Sequence, residues 1–195
     1  MRALLLGIGN PGRQDDGLGP ALAEAVERLA IPGVTVDADY QLTVEDAAAI
    51  AEHEVVIFAD ADAAGEAPFS FRTVAARRAL EWSSHGVEPE TLLGLFEEIF
   101  GRAPPAYVLG IRGRCFGELR EELSDEARQN LAAALAFVEE WLGRAERSSD
   151  AQLAEAVRQG VVQPARSPRT PLAERRPVAA TGAVLEELER DRDDR

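Results

Sequence analysis

Two short runs, Ala3-Leu4-Leu5-Leu6 and Val55-Val56-Ile57-Phe58-Ala59, are apolar at every position. A strand with one wet face alternates apolar and polar residues, so an unbroken apolar run must be covered on both faces. Arg2 to Ile8 therefore reads as a first buried strand. Val55 to Ala59 reads as a central strand that ends at Asp60-Ala61-Asp62.

Between and beyond these runs the period changes. Leu18, Leu22, Ala25, Val26 and Leu29 recur at helical spacing, and Pro32-Gly33 breaks the chain after them. Val34 to Asp37 alternates and predicts a second strand. Thr43 is placed to cap a helix that carries Glu45 and Asp46 in its first turn and runs to about Glu52. Phe69 to Val74 alternates weakly, as an edge strand would. Pro89 suits the first turn of a helix through Phe100. Ala106 to Ile111 is a further strand. Ser124, followed by Asp125 and Glu126, opens a long amphipathic helix to about Leu142. Strands and helices thus alternate. The expected fold is α/β: a three-layer sandwich with a mostly parallel, twisted sheet of about five strands flanked by helices. Some strands at the sheet edge are free to be antiparallel.

The 195 residues allow one substantial domain plus an extension, and 46% apolar residues suffice for a core. The domain is expected over residues 1–144. Residues 145–195 turn to Arg, Ser, Pro and Glu and end on a charge run, Asp191-Arg192-Asp193-Asp194-Arg195, the composition of a partly disordered tail. Short helical patterns remain at Ala151–Arg158 and Ala183–Glu189. The formal net charge is −14 and there is no lysine. Such a surface repels phosphate backbones and anionic membranes, so neither nucleic acid nor membrane is an expected partner. The single cysteine, Cys115, excludes an internal disulfide and suits a reducing compartment. The apolar start is too short for a signal peptide, and no segment is apolar enough to span a bilayer. A cytoplasmic location is expected.

The chemistry concentrates in the loop after the first strand, Gly7-Ile8-Gly9-Asn10-Pro11-Gly12-Arg13-Gln14-Asp15-Asp16-Gly17-Leu18-Gly19. Its first six residues satisfy G-x-G-x-x-G, and Asp37 follows about where a dinucleotide fold places its ribose-binding acid. In that motif the helix opens inside the fingerprint and presents its N–H groups to pyrophosphate. Here Pro11, Gly12, Gly17, Gly19 and Pro20 oppose so early a helix, and two carboxylates would face the phosphates. Dinucleotide binding stays only as an alternative. The same opening words resemble the peptidyl-tRNA hydrolases, but the histidine segment that follows in that family is missing here.

The fuller pattern resembles the hydrogenase maturation proteases, in which a strand leads into Gly-x-Gly-Asn, a spacer and Asp-(Glu/Asp)-Gly-x-Gly. Gly7, Gly9, Asn10, Asp15, Asp16, Gly17 and Gly19 match it. So do Gln41-Leu42 with Glu45-Asp46-Ala47, the apolar strand ending in Asp60-Ala61, Ser84-His85 before Leu92-Leu93, and Ile111-Arg112-Gly113 before Leu123-Ser124. The resemblance covers the chain to about residue 142. It implies an endopeptidase that removes a C-terminal peptide from the nickel-loaded large-subunit precursor of a nickel–iron hydrogenase. It also implies nickel carried by the substrate, a resting enzyme without metal of its own, and a nickel-engaging set of Asp16, Asp60 and His85. The first of these is often glutamate in the family; Asp16 is one methylene shorter. A non-catalytic module that binds the nickel-bearing precursor is the alternative on the same fold.

Two carboxylates and an imidazole offer O, O and N donors to a borderline divalent ion, and three protein ligands leave positions open. Simpler roles compete. Asp15 and Asp16 suit turn chemistry before a helix. Asp62 competes with Asp60, and His85 could be an ordinary loop histidine. His53, at a helix end, reads as structural. Cys115 reads as packing, and Trp82, Phe96 and Trp141 as core or docking residues. No Gly-x-Ser-x-Gly elbow and no His-Glu-x-x-His helix is present.

Overall fold

The computed structural model describes residues 1–77, 87–117 and 119–158. His85, Trp82, the 145–195 tail beyond Arg158 and its Ala183–Glu189 pattern lie outside the described residues. Two compact units divide the chain, Met1–Ala154 and Glu155–Arg195; all that follows concerns the first, apart from the last turn of one helix.

Five strands form one sheet: β1 (Ala3–Ile8), β2 (Val34–Asp39), β3 (Val55–Asp62), β4 (Phe69–Val74) and β5 (Ala106–Arg112). Their order is β2-β1-β3-β5-β4. The first three pairings are parallel, and β4 runs antiparallel to β5 at the edge. Four helices accompany them: α1 (Leu18–Leu29), α2 (Asp46–Ile50), α3 (Pro89–Phe100) and α4 (Asp125–Arg158). The α/β expectation therefore holds, with the edge strand as the antiparallel member.

The two apolar runs explain the layers. Ala3 and Leu5 of β1 and Val55, Ile57 and Ala59 of β3 face one side, where Leu18, Leu22 and Val26 of α1 and Ala134, Val138 and Leu142 of α4 cover them. Leu4 and Leu6 and Val56 and Phe58 face the other side, beneath Ala47 and Ile50 of α2 and Leu92, Leu93 and Phe96 of α3. Successive residues of a strand point to opposite faces, so two covered faces need an apolar residue at every position. Trp141 joins Phe71 and Tyr107, at ring-centroid distances of 5.5 and 5.1 Å, in an aromatic cluster between α4 and the β4–β5 edge. Trp141 and Phe96 are thus core residues.

Three elements differ from the sequence expectation. The second helix opens at Asp46, not directly after Thr43. The Asp46 carboxylate instead accepts the Thr43 N–H at 2.7 Å and the Thr43 hydroxyl at 3.2 Å, so the acid reaches back in the manner of half a capping box. β3 continues through Asp60 to Asp62, because β5 pairs with it as far as Asp62↔Arg112. α4 does not stop near Leu142 but runs to Arg158. One interior glycine, Gly143, costs a helix only about 1 kcal/mol, and the Ala, Leu, Glu and Arg residues around it are good helix formers.

The connections position the site. From β1 the chain passes through α1 to β2 on one side, and then through α2 to β3 on the other side of β1. The carboxyl ends of β1 and β3 therefore flank a topological switch point, the place where open α/β sheets hold ligands.

Candidate active site

β1 pairs with β3 only as far as Gly7↔Ala59. Beyond it the chain leaves the sheet at Gly9, and β3 continues alone on that side with Asp60. The Asp60 end of β3 thus stands beside the loop that follows β1.

The glycines of the first loop are there for close approach. Gly9 has φ +135°, a conformation reserved for glycine, and a Cβ there would collide with the Asp16 carbonyl. A Cβ on Gly19 would meet the carbonyls of Ile8 and Ala59, and one on Gly7 the backbone of Gly19. These contacts clamp the start of α1 against β1 and β3. The Asn10 carboxamide accepts the Gly12 N–H at 2.9 Å and tightens the turn. α1 opens only at Leu18, after the Gly7–Gly12 fingerprint and after a 3₁₀ turn, Gln14–Gly17, that carries both acids. Its first N–H groups thus do not meet the fingerprint as they do in a dinucleotide site.

The two adjacent acids have different work. Asp15 is 0% exposed. Its Oδ2 accepts the N–H groups of Arg114 and Cys115 and the Ser124 hydroxyl, each at 2.9 Å. Its Oδ1 accepts the Ser124 N–H at 2.8 Å. Burial raises a carboxyl's pKa, but these four donors more than reverse it and hold Asp15 below the ordinary value. Asp15 is therefore a buried anion that ties the first loop to the β5–α4 connection. The Asp15 N–H completes the tie by donating to the Cys115 carbonyl at 3.0 Å. Sequence reasoning read Asp15 only as a neighbour of Asp16 and missed this role. Nothing local signals it, because every partner is distant in the chain. Cys115 contributes its backbone here, in keeping with a packing role.

Ser124 caps α4 as expected, its hydroxyl oxygen accepting the Ala127 N–H at 3.2 Å while its proton goes to Asp15. Ser124→Ala loses both bonds and is expected to cost about 1–2 kcal/mol, read as a lower urea midpoint at unchanged m-value.

Asp16 and Asp60 lie within electrostatic reach of each other. Asp16 is half-buried, and its Oδ2 accepts the Asn10 N–H at 3.3 Å. Asp60 is half-buried too, and its Oδ1 accepts the Ala61 N–H at 2.7 Å. Burial, opposed by that one hydrogen bond and reinforced by the charges of Asp16 and Asp62, pushes the Asp60 pKa up to about 6. Asp62 is committed elsewhere: its Oδ1 accepts the N–H groups of Ala64 and Gly65 at 2.9 and 2.7 Å and shapes the turn after β3. Among the described residues neither Asp16 nor Asp60 has an ion-pair partner. Two carboxylates thus converge without a cation.

Also among the described residues, no three His, Cys, Asp or Glu side chains converge on a metal-sized site. Asp16 and Asp60 are two carboxylate donors. His85, the third residue of the expected set, is outside the described residues. His53 is structural: Nδ1 contacts the Ala49 carbonyl at 2.7 Å and Nε2 the Thr35 hydroxyl at 2.8 Å.

No described helix is long and apolar enough to cross a membrane. Fold and site together define an open, doubly wound α/β domain with two electrostatically coupled carboxylates at its switch point. Among solved structures the chain is similar to a hydrogenase 2 maturation peptidase from a Thaumarchaeota archaeon, with 28% identity, a TM-score of 0.55, and 73% of this chain and 99% of that one covered. It is similar to the NiFe hydrogenase maturation protease HycI of Thermococcus kodakarensis, with 24% identity, a TM-score of 0.57, and 71% and 90% covered. The hydrogenase maturating endopeptidase HybD of E. coli is 19% identical at a TM-score of 0.56, with 74% and 94% covered. No family profile and no curated protein sequence matches the chain. The chain has the fold of the hydrogenase maturation protease family, which its first-loop motif resembles.

Proposed function

We propose that the chain is an endopeptidase that removes a C-terminal peptide from the nickel-loaded large-subunit precursor of a nickel–iron hydrogenase. The observation that carries this reading is the electrostatic coupling of Asp16 and Asp60 at the switch point, with no ion-pair partner for either among the described residues. Such a pair is completed by a cation that arrives with the substrate. The fold shared with maturation peptidases supports the choice of substrate.

In this reading Asp16, Asp60 and His85 engage the substrate's nickel, and no resident metal is needed. Nickel supplies Lewis acidity, polarising a carbonyl or activating a water. Asp16 is held by the Asn10 N–H, and the glycine clamp fixes its backbone. Asp60, with its pKa near 6, is ionised at neutral pH yet is a competent proton acceptor there. The closing of the site by a bound precursor excludes water and strengthens each of these interactions.

The pH dependence follows. Below about pH 6 Asp60 becomes protonated and loses its anionic oxygen. Cleavage at subsaturating precursor is expected to fall by about tenfold for each further pH unit. A rate that stays flat from pH 7 to 5 would remove Asp60 from the reaction.

Asp16→Ala and His85→Ala distinguish an enzyme from a binding module. Cleavage is expected to drop at least about a hundredfold while precursor still co-elutes with the variant. Unchanged processing in both would overturn the site. A clear thermal stabilisation by NAD(P) or ATP would instead favour nucleotide binding.

A further inference from the structure

On the β2 side of the first loop lies a cavity of about 230 Å³ that the chemistry above leaves unused, lined by Gly9, Pro11, Pro20, Ala38, Asp39 and Tyr40. Its walls are two proline rings, a methyl group and an aromatic ring. Tyr40 is 65% exposed, a large apolar surface left in water. Among the described lining residues Asp39 brings the only charge, and its Oδ1 already accepts the Tyr40 N–H at 2.6 Å.

Size and charge select the occupant. Cofactor and drug-sized clefts run from roughly 300 to 1,000 Å³, so this cavity suits one side chain and not a nucleotide. The rim is anionic. Asp37 and Asp39 are exposed at the end of β2, and with Asp46 they line the adjoining crevice beside Gln41 and Leu42. Among the described residues no arginine lines either hollow. An apolar side chain on a cationic segment complements both features. The position also fits. Gly9 forms part of the cavity wall, and the same residue packs against the Asp16 backbone. The cavity thus adjoins the loop that carries Asp16.

We propose that this cavity is a specificity pocket for a peptide substrate. It takes a large aliphatic or aromatic side chain from an extended segment that carries an arginine or lysine next to it. The proposal rests on the peptidase reading above and names the part of the substrate that this end of the site selects.

The test uses the full chain, labelled with nitrogen-15, and acetylated, amidated hexapeptides Gly-Arg-X-Gly-Arg-Gly. With X = Leu, the amides of Gly9, Ala38 and Tyr40 are expected to shift on titration. With X = Gly, affinity is expected to be weaker by about tenfold. Replacing both peptide arginines by glutamate is expected to abolish the shifts. Ala38→Phe fills the cavity from an exposed position on β2, and Tyr40→Ser removes a wall; each is expected to weaken the leucine peptide by about tenfold. With nickel-loaded precursor, Ala38→Phe is expected to raise KM by a similar factor while kcat stays near that of the parent. Equal shifts with leucine and glycine peptides would overturn the pocket. So would unaltered affinity in both variants, or an unchanged KM in Ala38→Phe. The peptide titration needs no cleavage, so a chain that binds the leucine peptide selectively but cleaves no precursor would leave the pocket standing and remove the peptidase reading.

Discussion

Asp60→Asn is expected to make the protein more stable and inactive at once. Asp60 ionises with a pKa of about 6, against an ordinary 3.8. A carboxyl whose pKa is raised on folding contributes stability that is fully present below the unfolded pKa and is lost as pH rises through the folded one. At pH 7 that loss is complete and is of order 2–3 kcal/mol. Asparagine removes the charge and keeps an oxygen for the Ala61 N–H. Its buried amide N–H groups offset part of the gain, so a net stabilisation of about 1–2 kcal/mol is expected. That corresponds to a rise in Tm of about 2–6 °C at pH 7. The gain should shrink as pH falls below 6 and reverse near 4, where the cost of the buried amide alone remains. Precursor cleavage should fall by about a thousandfold or more, since an amide neither carries the charge nor accepts the proton. A variant that is less stable at pH 7 would show that Asp60 has a stabilising partner and is not a residue kept for function.

Asp15→Asn, one position from Asp16, is expected to do the opposite. All four groups on the Asp15 carboxylate are donors. An amide nitrogen in place of Oδ2 would confront the N–H groups of Arg114 and Cys115. The change is isosteric but leaves buried donors unpaired, and the expected cost is about 3–5 kcal/mol in urea unfolding. The pH dependence separates this from general damage. A carboxyl whose pKa is lowered on folding gives stability present above the unfolded pKa and lost as pH falls through the folded one. The stability of the parent should therefore decline below about pH 3.8, and the variant should lack that part of the decline. Asp15 and Asp60, acids of the same type, then carry opposite signs of stability: the first anchors the loop and the second is strained by its own charge.

Much of this was legible in the sequence. The two unbroken apolar runs required a sheet covered on both faces, and the alternation of periods supplied the helices that cover it. The first-loop glycines marked the place where α1 is held close against β1 and β3. Other features were not legible, for physical reasons. The partners of Asp15 lie 99 to 109 residues downstream, so no local pattern records them. Asp60 looked like the residue after a strand because its polarity ends the apolar run, yet strand pairing depends on the backbone and β5 carries β3 to Asp62. Thr43 looked like a cap because threonine often is one, but Asp46 took the role from the other side. The sequence prefers Asp60 to Asp62 because it directly follows the apolar run; that the Ala64 and Gly65 amides occupy Asp62 is visible only in the fold.

The central claim is that the two converging carboxylates serve a cation that arrives with the substrate. Intact-mass measurement of a hydrogenase large-subunit precursor, incubated with this chain in its nickel-loaded and nickel-free forms, tests it directly. The predicted result is loss of a single C-terminal peptide from the nickel-loaded precursor and an unchanged mass for the nickel-free one. Equal cleavage of both forms, or of neither, would contradict it.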